Sequence, residues 1–307
     1  MTRYVLERIF YVLVTAFIIV SITFVLLQFM PGTPFLDDKL TAEQSQILLD
    51  KYGLDDPLPV QYVRYMGKII QGDFGRSFKT NRTVTSMIMD RVKVSATVGF
   101  QALLFGSVVG ITLGAVAGLN RGKLWDHLTI VIAVIGVSIP SFVFGSLMQF
   151  ALGVQIQIFP VIYMKTFAST LMPTFALALY VVATTARYMR NEIIEVLNSD
   201  YILLAKAKGL SRPTIIVKHA LRNALIPVIT VIGPLTVILI SGTVVVERIF
   251  AVPGLGNMIV TAIQSNDHFV ILGEGIFFSL IFLTAILTVD ILYGIIDPRI
   301  RLAGGKN

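Results

Sequence analysis

The sequence predicts an all-α polytopic membrane protein with six transmembrane helices and both termini on the cytoplasmic side. Composition, the spacing of long uncharged runs, and the uneven placement of Lys and Arg carry this prediction. Of 307 residues, 55% are hydrophobic and only 14% charged, where an ordinary soluble domain carries about a quarter. With a mean hydropathy of +0.80, the chain has more apolar surface than one soluble core can hide. A soluble enzyme, a secreted disulfide scaffold and a disordered chain are excluded. The absence of cysteine excludes disulfides, thiolate metal sites and cysteine nucleophiles.

A helix needs about 20 mostly apolar residues to cross the hydrocarbon core. Six stretches qualify: Ile9–Met30, Val94–Leu119, Leu128–Gly153, Ser169–Ala186, Ala224–Val246 and Val270–Ile296. The first five contain no Asp, Glu, Lys or Arg; the sixth carries Glu274 and Asp290 near its two ends. Arg3 and Arg8 before the first stretch resemble a signal peptide's basic start. Its apolar run is longer than a signal core, and a turn, Met30-Pro31-Gly32-Thr33-Pro34, follows in place of a small-residue cleavage site. A retained span is expected.

Orientation follows from Lys and Arg in the short connections. With the N-terminus inside, the cytoplasmic segments hold 14 of these residues, while the two short outside loops hold only Lys165 and Arg248. The long outside segment holds nine more, but long loops weigh little in this bias. The net charge of +7 is thus read as topology, with no nucleic-acid partner.

The second span places Gly106, Gly110, Gly114 and Gly118 four residues apart, hence on one helix face. Such a face lets another helix approach closely and gain van der Waals contact. A groove that opens as a substrate path is the alternative. Pro140, Pro173, Pro227 and Pro234 interrupt later spans; each removes an i−4 hydrogen bond and favours a kink.

Catalytic and metal motifs are missing from the sequence. His127, His219 and His268 sit at or beyond span ends, without a second histidine or a carboxylate at metal-ligand spacing. There is no G-x-S-x-G elbow and no phosphate-binding G-x-x-x-x-G-K-[ST] loop. Intramembrane acids are functional candidates by default, so a proton- or ion-coupled carrier using Glu274 and Asp290 is an alternative. The structural reading has both acids solvated at span ends by water, headgroups or cationic side chains.

The cytoplasmic segment 187–223 is the most informative. Ser199 or Asp200 can cap a short helix running to Lys208, with Gly209 supplying the left-handed position after its end. Ser211 then caps a second helix with Pro213 in its first turn. Two ordered, exposed helices around a glycine corner are expected. Small residues, Ala205, Ala207 and Gly209, alternate with Lys206 and Lys208 at the corner. That suits a protein surface closing over the backbone against an acidic rim, or a basic loop lying on anionic headgroups.

Ala205-Lys-Ala-Lys-Gly209-Leu, followed by Lys218-His-Ala-Leu-Arg-Asn-Ala-Leu-Ile-Pro227, resembles the cytoplasmic motif of importer permeases in ATP-binding-cassette (ABC) systems. The oligopeptide/dipeptide/nickel branch is the most similar. Other segments agree: Leu26-x-x-Phe29-Met-Pro-Gly-x-Pro34, Tyr52-Gly-Leu-Asp-Asp-Pro57, Gly72-Asp-Phe-Gly-x-Ser77, Val252-Pro-Gly-Leu-Gly256 and Ile296-Asp-Pro-Arg299. One departure stands out: the family motif opens with an acid and two alanines, where this chain has Leu203, Leu204 and Ala205.

The resemblance implies a type I ABC importer permease-like fold and a permease subunit providing half of a path for oligopeptides or dipeptides. Opine-like molecules and nickel are alternative cargoes. The implied partners are a second homologous permease, two cytoplasmic ATPases that bind ATP and Mg, an extracytoplasmic solute-binding protein, and lipid. No cofactor is expected in this chain. The implied ATPase contact is Ala205, Lys206, Ala207, Lys208, Gly209 and Leu210, and the implied setting is the cytoplasmic membrane of a prokaryote. The chain then divides into a tail and first span (1–30), an extracytoplasmic helical segment (31–93) and a core (94–307) containing the coupling loop. In the extracytoplasmic segment, Thr41-Ala-Glu-Gln44 has the pattern of a capping box opening a helix to Gly53. A second helix is expected over Val60–Gln71, and Thr83–Arg91 suits the interface. The segment either docks the binding protein or caps the bundle mouth.

Overall fold

The computed structural model describes residues 2–29 and 53–296, with positions 43, 46, 47 and 50 between them, and no side chains at 2–5, 237–238, 240–243 and 289–296. Thr41 and Gln44 of the capping box, the turn after Met30, positions 297–299 of the Ile296-Asp-Pro-Arg299 motif and the Asp290 side chain lie outside the described set. The described chain is helical: α1 Thr2–Gln28, α2 Leu58–Ile70, α3 Val84–Leu119, α4 Leu124–Ser138, α5 Ser141–Met148, α6 Phe167–Leu197, α7 Asp200–Ala207, α8 Arg222–Ile249, α9 Leu255–Gln264 and α10 His268–Ile296. Two π-helical stretches, Gln149–Gln155 and Ile215–Leu221, extend α5 and lead into α8. Among the described residues five helices are long and apolar enough to cross a membrane, and a sixth crossing exists if the bent pair α4–α5 is one span.

That bent pair corrects the third predicted span. Leu128–Gly153 is not one kinked helix but two, bent by 104°. Pro140 has no N–H to continue the ladder, and its ring pushes the preceding residue out of the helical region. Ile139 accordingly sits at φ −89°, ψ 120°. Pro173, Pro227 and Pro234, by contrast, are carried inside continuous helices. The expected interface segment Thr83–Arg91 is helical from Val84 and continuous with the second spanning helix. The second helix of the cytoplasmic loop is not separate either, because the turn Arg212–Thr214 runs through the π-helical stretch into α8 without a break.

By contacts the chain forms two units, residues 1–93 with 254–287, and residues 94–253 with 288–307. In the first unit, Val20, Phe24 and Leu27 of α1 share one core with Tyr65 of α2, Val84 and Ile88 of α3, and Leu255, Met258 and Ala262 of α9. The amphipathic helix α9 was not anticipated. The loop 72–83 is held by the buried Asp267, which accepts hydrogen bonds from Ser77 Oγ at 2.6 Å and the Phe78 N–H at 3.2 Å. Gly273 is needed here, since a Cβ would come 2.6 Å from Val84 Cγ1.

In the second unit α6 is central. Of its apolar stretch 67% is buried, against 11–33% for the other four single-helix spans. Its start is fixed by Thr166 and Ser169: the Thr166 N–H donates to Ser169 Oγ at 3.3 Å, and that hydroxyl donates to the Thr166 carbonyl at 2.7 Å. The start of the α5 extension is tied to the end of α8, where Gln149 Nε2 donates to the carbonyls of Val161 (2.8 Å) and Ile249 (3.1 Å). The Tyr163 N–H donates to the Phe250 carbonyl at 2.9 Å.

Candidate functional site

The cytoplasmic bend between α6 and α8 is built by local chemistry. α7 ends in paired turn bonds, Gly209 N–H to the Lys206 carbonyl (3.0 Å) and Leu210 N–H to the Ala205 carbonyl (3.3 Å). That pairing requires a left-handed residue just past the helix, and Gly209 has φ +75°. Open space surrounds the position a Cβ would take there, so backbone conformation, not crowding, demands the glycine. Ser199 starts α7 with extended backbone, but its hydroxyl donates back to the Val196 carbonyl at 2.6 Å.

The expectation of a fully exposed loop is corrected in one respect. Ile202 and Ala205 are buried in a cluster with Met189 and Ile193 of α6, Ile215 and Ala220 of the π-helical stretch, and Ala224 and Val228 of α8. Ala205, named as part of the contact, therefore seats α7 on the bundle. Lys206, Ala207, Lys208, Gly209 and Leu210 are exposed. Leu203 and Leu204 are exposed beside them, at 66% and 56%. These two leucines stand where the family motif has its acid and first alanine. The outward surface is thus apolar with a lysine fringe, a feature the sequence reading did not draw out. Its only trace there was the departure from the motif.

The bend is tied to α6, and α6 to its neighbours. Gly106, Gly110, Gly114 and Gly118 of α3 all face α6: added Cβ atoms would come 2.6 Å from Val181, 2.8 Å from Thr185, 2.7 Å from Met189 and 2.7 Å from Ile193. Gly136 of α4 approaches Ala183 in the same way, at 2.7 Å. At the cytoplasmic end, Arg190 of α6 grips Asp126 of α4 with two hydrogen bonds, Nε to Oδ1 at 2.5 Å and Nη2 to Oδ2 at 3.0 Å. The Gly122 N–H donates to the same carboxylate at 2.8 Å. A planar guanidinium meeting a carboxylate along two bonds fixes orientation as well as distance. Sequence reasoning counted Arg190 only as a topology charge and passed over Asp126. A lone acid one turn into a cytoplasmic helix start was the available signal.

Glu274 is fully buried in the first unit, so solvation by water or headgroups at a span end does not describe its setting. Another buried acid, Glu247 at the end of α8, accepts a hydrogen bond from Ser95 Oγ at 2.6 Å. Among the described residues no cluster of three or more His, Cys, Asp or Glu could hold a metal ion. What the arrangement can do is mechanical. A protruding corner sits on one buried helix, and that helix is keyed to α3 by glycines and to α4 by an ion pair.

Comparison with known proteins agrees with this geometry. Residues 110–302 match the family described as binding-protein-dependent transport system inner membrane component, and residues 1–99 match its N-terminal companion. The dipeptide transport system permease protein DppB of Lactococcus lactis subsp. cremoris is 45% identical, over 98% of this chain and all of that protein. DppB of Bacillus subtilis is 41% identical over 98% of this chain and 99% of its own length. The oligopeptide transport system permease protein OppB of Haemophilus influenzae is 37% identical over 98% and 100%. A solved structure described as an amino acid ABC transporter with histidines shares the fold at TM-score 0.53, with 15% identity over 70% of this chain and 94% of that one. The chain belongs to the family of binding-protein-dependent transport system inner membrane components, as a multi-pass permease subunit of an ABC transporter complex.

Proposed function

We propose that this chain provides half of the translocation path of an ATP-driven importer of dipeptides or oligopeptides. A second, homologous permease supplies the other half, and an extracytoplasmic binding protein delivers the cargo. Two cytoplasmic ATPases bind ATP and Mg and drive the cycle, and the chain itself performs no hydrolysis. The names of the relatives support the peptide cargo. The carrying observation for the mechanism is the bend. Leu203, Leu204 and Leu210 with Lys206 and Lys208 project from a corner whose Ile202 and Ala205 are anchored under α6 and α8.

In this mechanism an ATPase surface covers the leucines, with acidic groups meeting the lysines. Closure of the ATPases pushes α7, and its buried anchors pass the push to α6. Because α6 is keyed to α3 and α4, the three helices shift as one body. Co-purification in mild detergent tests the assembly, with one permease and two ATPases expected to accompany the chain. Ala207→Glu places a charge in the exposed contact without touching the anchors, and should remove the ATPases and uptake while leaving the chain in the membrane. Uptake by the chain alone, driven only by a solute or proton gradient, would overturn the proposal.

A further inference from the structure

A cavity of about 370 Å³ opens between α4 and α6 in the cytoplasmic half of the second unit. The α4 wall is mainly aliphatic, Ile130, Ala133, Val134 and Val137, with Thr129 and Ser138 at its two ends. The other wall ends in Arg187, Arg190 and Asn191 of α6, with no carboxylate in the lining. Arg190 is committed to Asp126. Arg187 is exposed and makes no hydrogen bond or ion pair among the described residues. The bend and its proposed partner contact use neither Arg187 nor this cavity.

The position of the cavity identifies its occupant. Trp125, the chain's one tryptophan, lies one turn before Thr129 on α4 and is 57% exposed. Exposed tryptophan at a span end marks the headgroup level. The cationic end of the cavity therefore lies just inside the cytoplasmic headgroups, and its aliphatic slot runs from there toward mid-membrane. Val131 and Ile135, beside the lining residues on α4, belong to an exposed aliphatic helix surface, a poor wall for a hydrated peptide path. A basic pocket between helices on the cytoplasmic side, continued by an acyl-sized apolar slot, has the chemistry of an anionic lipid site. We infer that Arg187 and the α4–α6 cleft bind an anionic phospholipid of the inner leaflet, with the phosphate on the guanidinium and an acyl chain along Ile130–Val137.

Trp125 reports occupancy directly. The full chain is reconstituted into phosphatidylcholine vesicles containing a minor fraction of acyl-brominated phosphatidylglycerol, or the same fraction of acyl-brominated phosphatidylcholine, and quenching of Trp125 is compared. The expected result is preferential quenching by the anionic lipid, about fivefold in relative affinity for one interfacial cation. Arg187→Gln should abolish the preference and Arg187→Lys should keep most of it, with helix content and Trp125 emission maximum unchanged in both. Equal quenching by the two lipids in the native chain overturns the inference, as does a preference that survives Arg187→Gln. Displacement of the brominated lipid by soluble glycerol phosphate or by a dipeptide also overturns it, the latter assigning the cleft to cargo. Because the readout is lipid contact, the inference stands or falls independently of the peptide-import proposal.

Discussion

Replacing Gly110 with alanine offers a sharp test of how α3 meets α6, because the same helix carries its own control. An added Cβ at Gly110 would lie 2.8 Å from Thr185 Cβ and 2.9 Å from the Val182 carbonyl oxygen. Carbon atoms in favourable contact sit at about 3.5–4.0 Å, so the helices must separate by roughly 1 Å. Such a gap forfeits about a quarter to a half of the dispersion attraction at each neighbouring contact, including those at Gly106 and Gly114. Overpacking of this kind costs about 1–3 kcal/mol, and the net loss remains after the roughly 1 kcal/mol by which alanine outranks glycine as a helix former. At Gly99, one helical stretch earlier, nothing lies within 4 Å of the added atom. There the propensity term acts alone, so Gly99→Ala should be neutral or stabilising by up to about 1 kcal/mol. The assay is thermal unfolding of the purified chain in detergent, followed by Trp125 emission, with peptide uptake measured in parallel. Gly110→Ala should lower the midpoint and Gly99→Ala should not. If the two variants behave alike, close glycine packing is not what holds α3 to α6.

Other substitutions probe the remaining links. Asp126→Asn leaves the Arg190 guanidinium without its counter-charge and should destabilise by about 3 kcal/mol, while Asp126→Leu with Arg190→Met should recover much of that loss in the same unfolding assay. Asp267→Ala strands the buried Ser77 hydroxyl and the Phe78 N–H. A cost of about 2–3 kcal/mol is expected, with faster proteolysis of the 72–83 loop as the second readout. Tyr65 is buried, its hydroxyl has no hydrogen-bond partner among the described residues, and burial pushes its pKa up, which keeps it neutral. Tyr65→Phe should therefore stabilise the chain by about 1 kcal/mol and raise the unfolding midpoint; a drop would show that the hydroxyl is bonded after all.

The residues alone were enough to place five of the six spans, their direction and the cytoplasmic corner, but not the break in the third. The membrane makes these features local. A backbone in hydrocarbon must satisfy its own hydrogen bonds as helix, its length is fixed by bilayer thickness, and Lys and Arg in short loops set direction. Gly209 was equally legible, because a left-handed residue after α7 is a requirement of one turn of chain. The glycines of α3 announced a close contact, but not with which helix. Tertiary structure alone decided that α6 receives them, that Asp126 finds Arg190 across 64 residues, and that Asp267 reaches Ser77 across 190. It also decided that Ala205 turns inward while Leu203 and Leu204 turn out, and that Pro140 breaks its span where Pro173 does not. A proline's effect on a helix, like the side a short helix buries, depends on what packs around it, and that is set by residues far away in the chain.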